Sequence, residues 1–97
     1  MAKFKDIIES HPKVLVDFSA EWCGPCKTLG PILHQVKESL GEDIKIIKID
    51  VDKNPGLASA YQVQGVPTMI LFNAGNQVWR QSGVLPKAQI EDIIRTH

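Results

Sequence analysis

Two short, almost uninterrupted aliphatic runs with one long amphipathic stretch between them restrict the fold more than anything else in this chain. Residues 14–18 (Val14-Leu15-Val16-Asp17-Phe18) and residues 44–50, which hold four isoleucines, lack the alternation of a strand with one wet face. They read as strands covered on both faces. Between them Leu29, Ile32, Leu33, Val36 and Leu40 fall on one helical stripe, Lys27, Gln35, Lys37 and Glu38 fill the other side, and Gly41 ends the helix. Strand, helix and strand at this length make a right-handed parallel crossover. Pro31 lies inside the helix and predicts a kink, because it lacks a backbone donor and its ring crowds the preceding turn.

Phe4, Ile7 and Ile8 share a face, so residues 3–10 read as a short helix that His11-Pro12 stops. Asn54-Pro55 supplies an N-cap and a first-turn proline for a helix over 55–61. Residues 68–72 form a third strand, Asn73-Ala74-Gly75-Asn76 a turn and residues 77–82 a fourth strand, which together give a hairpin. Pro86 opens a last helix in which Ile90, Ile93 and Ile94 share a face. The expected fold class is α/β, a mixed sheet with helices on both faces.

Ninety-seven residues, 43% of them apolar and 23% charged, suit one domain spanning 1–97 and are too few for two. Lys+Arg and Asp+Glu are 11 each, so net charge offers no attraction for nucleic acid or an anionic membrane. No apolar run approaches the roughly 20 residues that span a bilayer. Met1-Ala2-Lys3-Phe4-Lys5-Asp6 lacks the apolar stretch of a secretory signal. A cytoplasmic monomer without membrane or nucleic-acid partners is the expectation.

Chemistry enters at Trp22-Cys23-Gly24-Pro25-Cys26-Lys27, where the first strand ends and the long helix begins. Cysteines at this spacing can face each other across one helical turn, close enough for a disulfide. Cys23 falls at the helix N-terminus, where free N–H groups and the helix dipole favour a thiolate, the attacking species in disulfide exchange. Cys23 is therefore expected to be the more exposed and more acidic thiol, and Cys26, one turn in, the buried resolving thiol. A zinc or iron–sulfur half-site is the competing reading. Tetrahedral zinc wants four ligands, there is no second cysteine pair, and the histidines are His11, His34 and His97. His34 lies about 12 Å of helix beyond Cys26. A purely structural disulfide is disfavoured too, since so short a loop removes little chain entropy.

The segment from Val14 to Lys27, Val-Leu-Val-Asp-Phe-Ser-Ala-Glu-Trp-Cys-Gly-Pro-Cys-Lys, resembles the active-site segment of the thioredoxin family. Further matches follow in order: Pro31, Lys48, Ile49-Asp50-Val51-Asp52-Lys53-Asn54-Pro55, Gly65-Val66-Pro67-Thr68, Gly75 and Gly83. The likeness runs from about residue 14 to residue 94. It implies a thioredoxin-like fold and the reduction of protein disulfides by dithiol–disulfide exchange. No bound cofactor is implied: a Cys23–Cys26 redox disulfide is recharged from NADPH through a flavoprotein reductase. Cys23 would be the nucleophile and Cys26 the resolving thiol. Asp17 would take and return the Cys26 proton, with Lys48 near it. Pro67 would be a cis proline against the disulfide, although the sequence alone favours trans. Trp22, Gly24, Pro25, Gly65, Val66 and Gly83 would share with it the shallow surface that receives the client backbone. Asp17 also stands out without the resemblance, because burial of a carboxylate raises its pKa. The plainer alternative makes Asp17 and Lys48 a structural ion pair.

Departures from the family pattern carry their own expectations. Thirteen residues precede Val14, and a helix takes most of them, so the strand that usually comes first has no room. Four strands remain, with 44–50 at an edge that Lys45 and Lys48 keep from pairing with another chain. Ser19 stands where an aromatic residue is usual, and Gly30 replaces a more common alanine and loosens the helix. Two other functions compete. One is a related oxidase or isomerase, against which Gly24-Pro25 argues because that dipeptide accompanies the reducing members. The other is a module that grips one partner through the same surface.

Overall fold

The computed structural model describes residues 2–97. The elements follow in the order α1 (Ala2–Glu9), β1 (Lys13–Ser19), α2 (Gly24–Leu40), a 3₁₀ turn (Gly41–Asp43), β2 (Lys45–Asp50), α3 (Pro55–Ala60), β3 (Thr68–Asn73), β4 (Asn76–Ser82) and α4 (Lys87–Thr96). Each expected element is present, with bounds shifted by a residue or two. The sheet has the order β2-β1-β3-β4. β2 runs parallel to β1, with Asp17 opposite Lys48, and β3 runs antiparallel to β1, with Asp17 opposite Met69.

β1 is the centre of the molecule, and residues 14–19 are all buried. Its even-numbered side chains Val14, Val16 and Phe18 pack with Ile70 and Phe72 against Phe4 and Ile8 of α1. Its odd-numbered Leu15 joins Met69 and Leu71 beneath Leu29, Leu33 and Val36 of α2 and Ile90 and Ile94 of α4. The helical stripe read from the sequence is thus the buried seam of α2.

Among the described residues the sheet has four strands, with β2 at one edge. Lys48 is exposed there, and Lys45 donates from Nζ to Ser10 Oγ at 2.7 Å. α2 continues through Pro31. The hairpin turn places both Ala74 (φ 51°) and Gly75 (φ 82°) in the left-handed region, which is the twist a two-residue connection between antiparallel strands needs. Asn54 departs from expectation. Its side chain does not cap α3 but donates to the Asp50 carbonyl at 3.0 Å, while the Asp50 carboxylate accepts from the Asp52 and Lys53 amides. The turn after β2 is closed by Asp50, which leaves Asn54 to brace it.

Candidate active site

The loop 20–23 hangs from the buried end of β1 and enters α2 at Cys23, which is the N-cap residue of that helix. Its Sγ accepts from the Cys26 amide at 3.1 Å, the bond a serine or aspartate makes at an ordinary helix start. Cys23 and Cys26 are joined as a disulfide, with Cα atoms 5.3 Å apart. Both are buried, at 4% and 5% exposure, so the expectation that Cys23 is the more exposed does not hold in this disulfide state. Ala20, Val51 and Val66 close around the pair. What separates the two sulfurs is their backbone surroundings. Cys23 receives the helix N–H and lies 3.6 Å from the Val66 carbonyl oxygen, whereas Cys26 sits one turn inside the helix.

Several contacts shape the rim. Trp22 is 71% exposed, and its indole N–H donates to Asp52 Oδ2 at 2.8 Å. Lys53 and Glu21 form a second bridge between the same loops at 3.6 Å. Gly24 and Pro25 are exposed at the helix tip. Opposite stands the turn Gly65-Val66-Pro67, whose Val66–Pro67 bond is cis, as the resemblance implies. Thr68 Oγ1 donates to the Gly65 carbonyl at 2.6 Å and lies 3.0 Å from Ser82 Oγ. The Gly83 amide donates to the Pro67 carbonyl at 2.9 Å with Gly83 at φ 94°. Trp22 on the loop before α2, Gly24 and Pro25 at the tip of α2, Gly65, Val66 and Pro67 on the opposing turn and Gly83 just past β4 therefore lie around the disulfide. Asp52 and Thr68 belong to the sequence motifs, but sequence reasoning gives them no role. Their side-chain partners Trp22 and Ser82 are distant in the chain, so no local pattern announces them.

Asp17 lies deeper on the same face of β1. It is 2% exposed, and Oδ1 has no hydrogen-bond partner. Burial pushes its pKa from 3.8 up to about 6, against a smaller opposing pull from the Lys48 charge. The two do not form a contact ion pair. The ion pairs among the described residues are His34–Glu38, Lys53–Glu21, Lys87–Glu91 and Arg95–Glu91. A cleft of about 270 Å³ opens beside Asp17 between α2 and β2, lined by Gly30, Leu33, His34, Lys37, Ile46 and Lys48. Ser19, two residues further along β1, is also buried with an unpartnered hydroxyl. Gly30 shares the cleft with Asp17. One helical turn back from Gly30, about 6 Å, is Cys26. Two strand residues on from Asp17, about 6.6 Å, is Ser19. Among the described residues no group of three or more His, Cys, Asp or Glu side chains is placed to hold a metal ion.

A disulfide whose first sulfur caps a helix start, with a buried carboxylate on the strand beneath, is suited to thiol–disulfide exchange, and similarity to known proteins places the chain among the thiol–disulfide oxidoreductases. The thioredoxin family model matches residues 1–96. A thioredoxin-like protein of Synechocystis, slr0233, is 48% identical over 90 residues, spanning 92% of this chain and 86% of that protein. The thioredoxin of Acidithiobacillus ferridurans is 41% identical over 85 residues, 88% of this chain and 79% of that protein. Among solved structures, a mutant thioredoxin from Halobacterium salinarum superposes with a TM-score of 0.91 at 41% identity, over 99% of this chain and 83% of that one. The chain belongs to the thioredoxin family, and its activity is that of a protein-disulfide oxidoreductase acting on disulfide-containing clients without a bound cofactor.

Proposed function

We propose that the chain acts as one domain, 1–97, and works as a general protein-disulfide reductase, recharged by an NADPH-dependent flavoprotein reductase. The observation that carries the reading is Cys23 at the N-cap of α2, its Sγ already accepting a helix amide. After reduction the same amide and the helix dipole favour the Cys23 thiolate. That thiolate attacks a client disulfide; one client sulfur leaves as a thiolate, and Cys23 is left in a mixed disulfide. Cys26 then attacks Cys23 Sγ and its proton passes to the Asp17 carboxylate, whose pKa near 6 suits it to accept and return a proton close to neutrality. The second client sulfur leaves as a thiolate and takes up a proton. The client disulfide has gained two electrons, and Cys23 and Cys26 are again bonded. Lys48, across the strand pair from Asp17, holds the carboxylate's pKa below the value burial alone would set.

The turn at Val66–Pro67 has the Val66 backbone facing the disulfide, where an extended client segment can pair with it as a strand pairs with a sheet edge. Trp22, Gly24, Pro25, Gly65, Pro67 and Gly83 complete that surface. The protein works as a monomer in the cytoplasm, free of nucleic acid and membrane. A balanced charge supports that reading, and no described helix is long and apolar enough to cross a membrane. An insulin-reduction assay tests the whole. Turbidity is expected to develop faster with the protein plus dithiothreitol than with dithiothreitol alone, and again when thioredoxin reductase and NADPH replace the dithiol. No acceleration in either format rejects the reductase reading.

A further inference from the structure

We propose that Arg80 is a positioning residue for client binding. Its guanidinium reaches from β4 to the end of α3 and holds residues 62–66 in the arrangement that presents Val66 to the client. The inference rests on the reading of the Val66–Pro67 turn as the client-facing surface.

Arg80 lies on the outer strand, opposite Ile70 in register, and is itself exposed. One guanidinium nitrogen donates to the Tyr61 carbonyl and the other to the Gln62 carbonyl at 2.8 Å. A planar fork suits two successive carbonyls, and a cation suits the negative end of a helix. α3 has only six residues and no side-chain N-cap, so it is a weak element on its own. Directly after it Gln62 adopts φ 55°, a left-handed conformation that a residue with a side chain holds only when its surroundings enforce it. Arg80 grips the carbonyls on both sides of that residue's amide and α-carbon.

From Gln62 the chain runs four residues to Val66, whose carbonyl lies 3.6 Å from Cys23 Sγ. The far side of the same turn is held by the residue after β4, through the Gly83 amide on the Pro67 carbonyl. β4 and the residue that follows it therefore brace both flanks of the surface, one by the Arg80 side chain and one by main chain. The Tyr61 ring has its own anchorage, packed edge-on against Phe4 and Phe72. Main-chain bonds also hold the start of the segment, the Gln62 amide donating to the Ser59 carbonyl at 3.0 Å and the Val63 amide to the Ala58 carbonyl at 2.9 Å, so loss of Arg80 loosens the segment beyond the ring and leaves the core in place. A client that binds only the ordered arrangement loses affinity in proportion to the population of that arrangement. A small disulfide that reaches Cys23 without using the turn does not.

The test compares the parent with Arg80→Met and Arg80→Lys in two assays. One is steady-state reduction of insulin with dithiothreitol as reductant. The other is single-turnover reaction of the pre-reduced protein with 5,5′-dithiobis(2-nitrobenzoate). For Arg80→Met the KM for insulin is expected to rise roughly tenfold, with the limiting rate and the small-disulfide rate unchanged. Arg80→Lys keeps the charge and the aliphatic stem but cannot span two carbonyls, so its KM is expected to fall between the other two. If Arg80→Met does not fold, Arg80→Lys decides by the same readouts. A parental KM in the folded variants overturns the proposal, as does a loss that appears equally in both assays. A parent that fails to reduce insulin rejects the reductase reading itself and the Arg80 role with it.

Discussion

The two sides of β1 are built differently. Even-numbered residues face an aromatic layer in which Phe4, Tyr61 and Phe72 meet edge-on at centroid distances of 5.4 to 6.1 Å, with Phe18 beside them. No polar side chain of β1 points there. Odd-numbered residues Leu15, Asp17 and Ser19 face α2, and two of the three carry buried polar atoms without partners. One side is filled for cohesion; the other tolerates unsatisfied groups, on the side where we propose that a proton moves. A single strand with period-two alternation can serve both needs, because neighbouring residues never share a face.

Four measurements break or sharpen this contrast, from the largest expected effect to the smallest. Cys26→Ser should abolish multiple-turnover reduction while leaving the first attack intact, so the variant should accumulate as a client mixed disulfide detectable by mass spectrometry. A variant that still turns over would mean that Cys26 is not the resolving thiol. On the aromatic side, Phe18→Ala should cost about 3–5 kcal/mol of stability, read by urea denaturation, because a fully buried ring is removed from a packed layer.

On the other side, Asp17→Asn should do the reverse. The folded protein holds the Asp17 proton more tightly than the unfolded chain does, so its contribution to stability is fully present below pH 3.8 and is lost as pH rises through about 6. Asn cannot ionise. The variant should therefore be more stable than the parent at pH 7, by on the order of 3 kcal/mol, and should match it only well below pH 3.8. Its single-turnover reduction of a protein disulfide near pH 7 should slow at the resolving step. Lower stability at pH 7 with an unchanged rate would make Asp17 a structural group. Smallest is Gly30→Ala. A Cβ at Gly30 meets nothing within 4 Å, so the substitution should add about 0.5–1 kcal/mol by lowering the entropy of the unfolded helix segment, without a change in rate.

Those contrasts are unevenly legible in the sequence. The crossover, the hairpin and the buried seam of α2 can be read because each is carried by a repeating apolar spacing that tertiary contacts reinforce. Asp17 is legible as an interruption of such a spacing. The cis bond at Pro67 follows from resemblance and not from local chemistry, since proline itself prefers trans. The equal burial of Cys23 and Cys26 is not legible: helix position says which sulfur meets the N–H groups, but exposure depends on Val51 and Val66, which approach from distant loops. Asn54 misleads because a good capping residue stands near an aspartate, and the turn uses Asp50 instead. Arg80 gives no signal at all, since one arginine on a polar strand looks the same whether or not it finds a carbonyl.

The place of β1 at the middle of the sheet sets a hierarchy in time as well as in space. Its amides are bonded between two neighbouring strands and its side chains are covered by helices on both faces. Its main-chain hydrogens should therefore exchange with deuterium only when the whole molecule opens, while those of edge strand β2, α3 and the segment after it exchange through smaller openings. The disulfide hangs from the most thoroughly covered strand and faces a turn that follows the short α3, so openings on the Val66 side are expected to occur and close again without disturbing the ground on which the sulfurs stand.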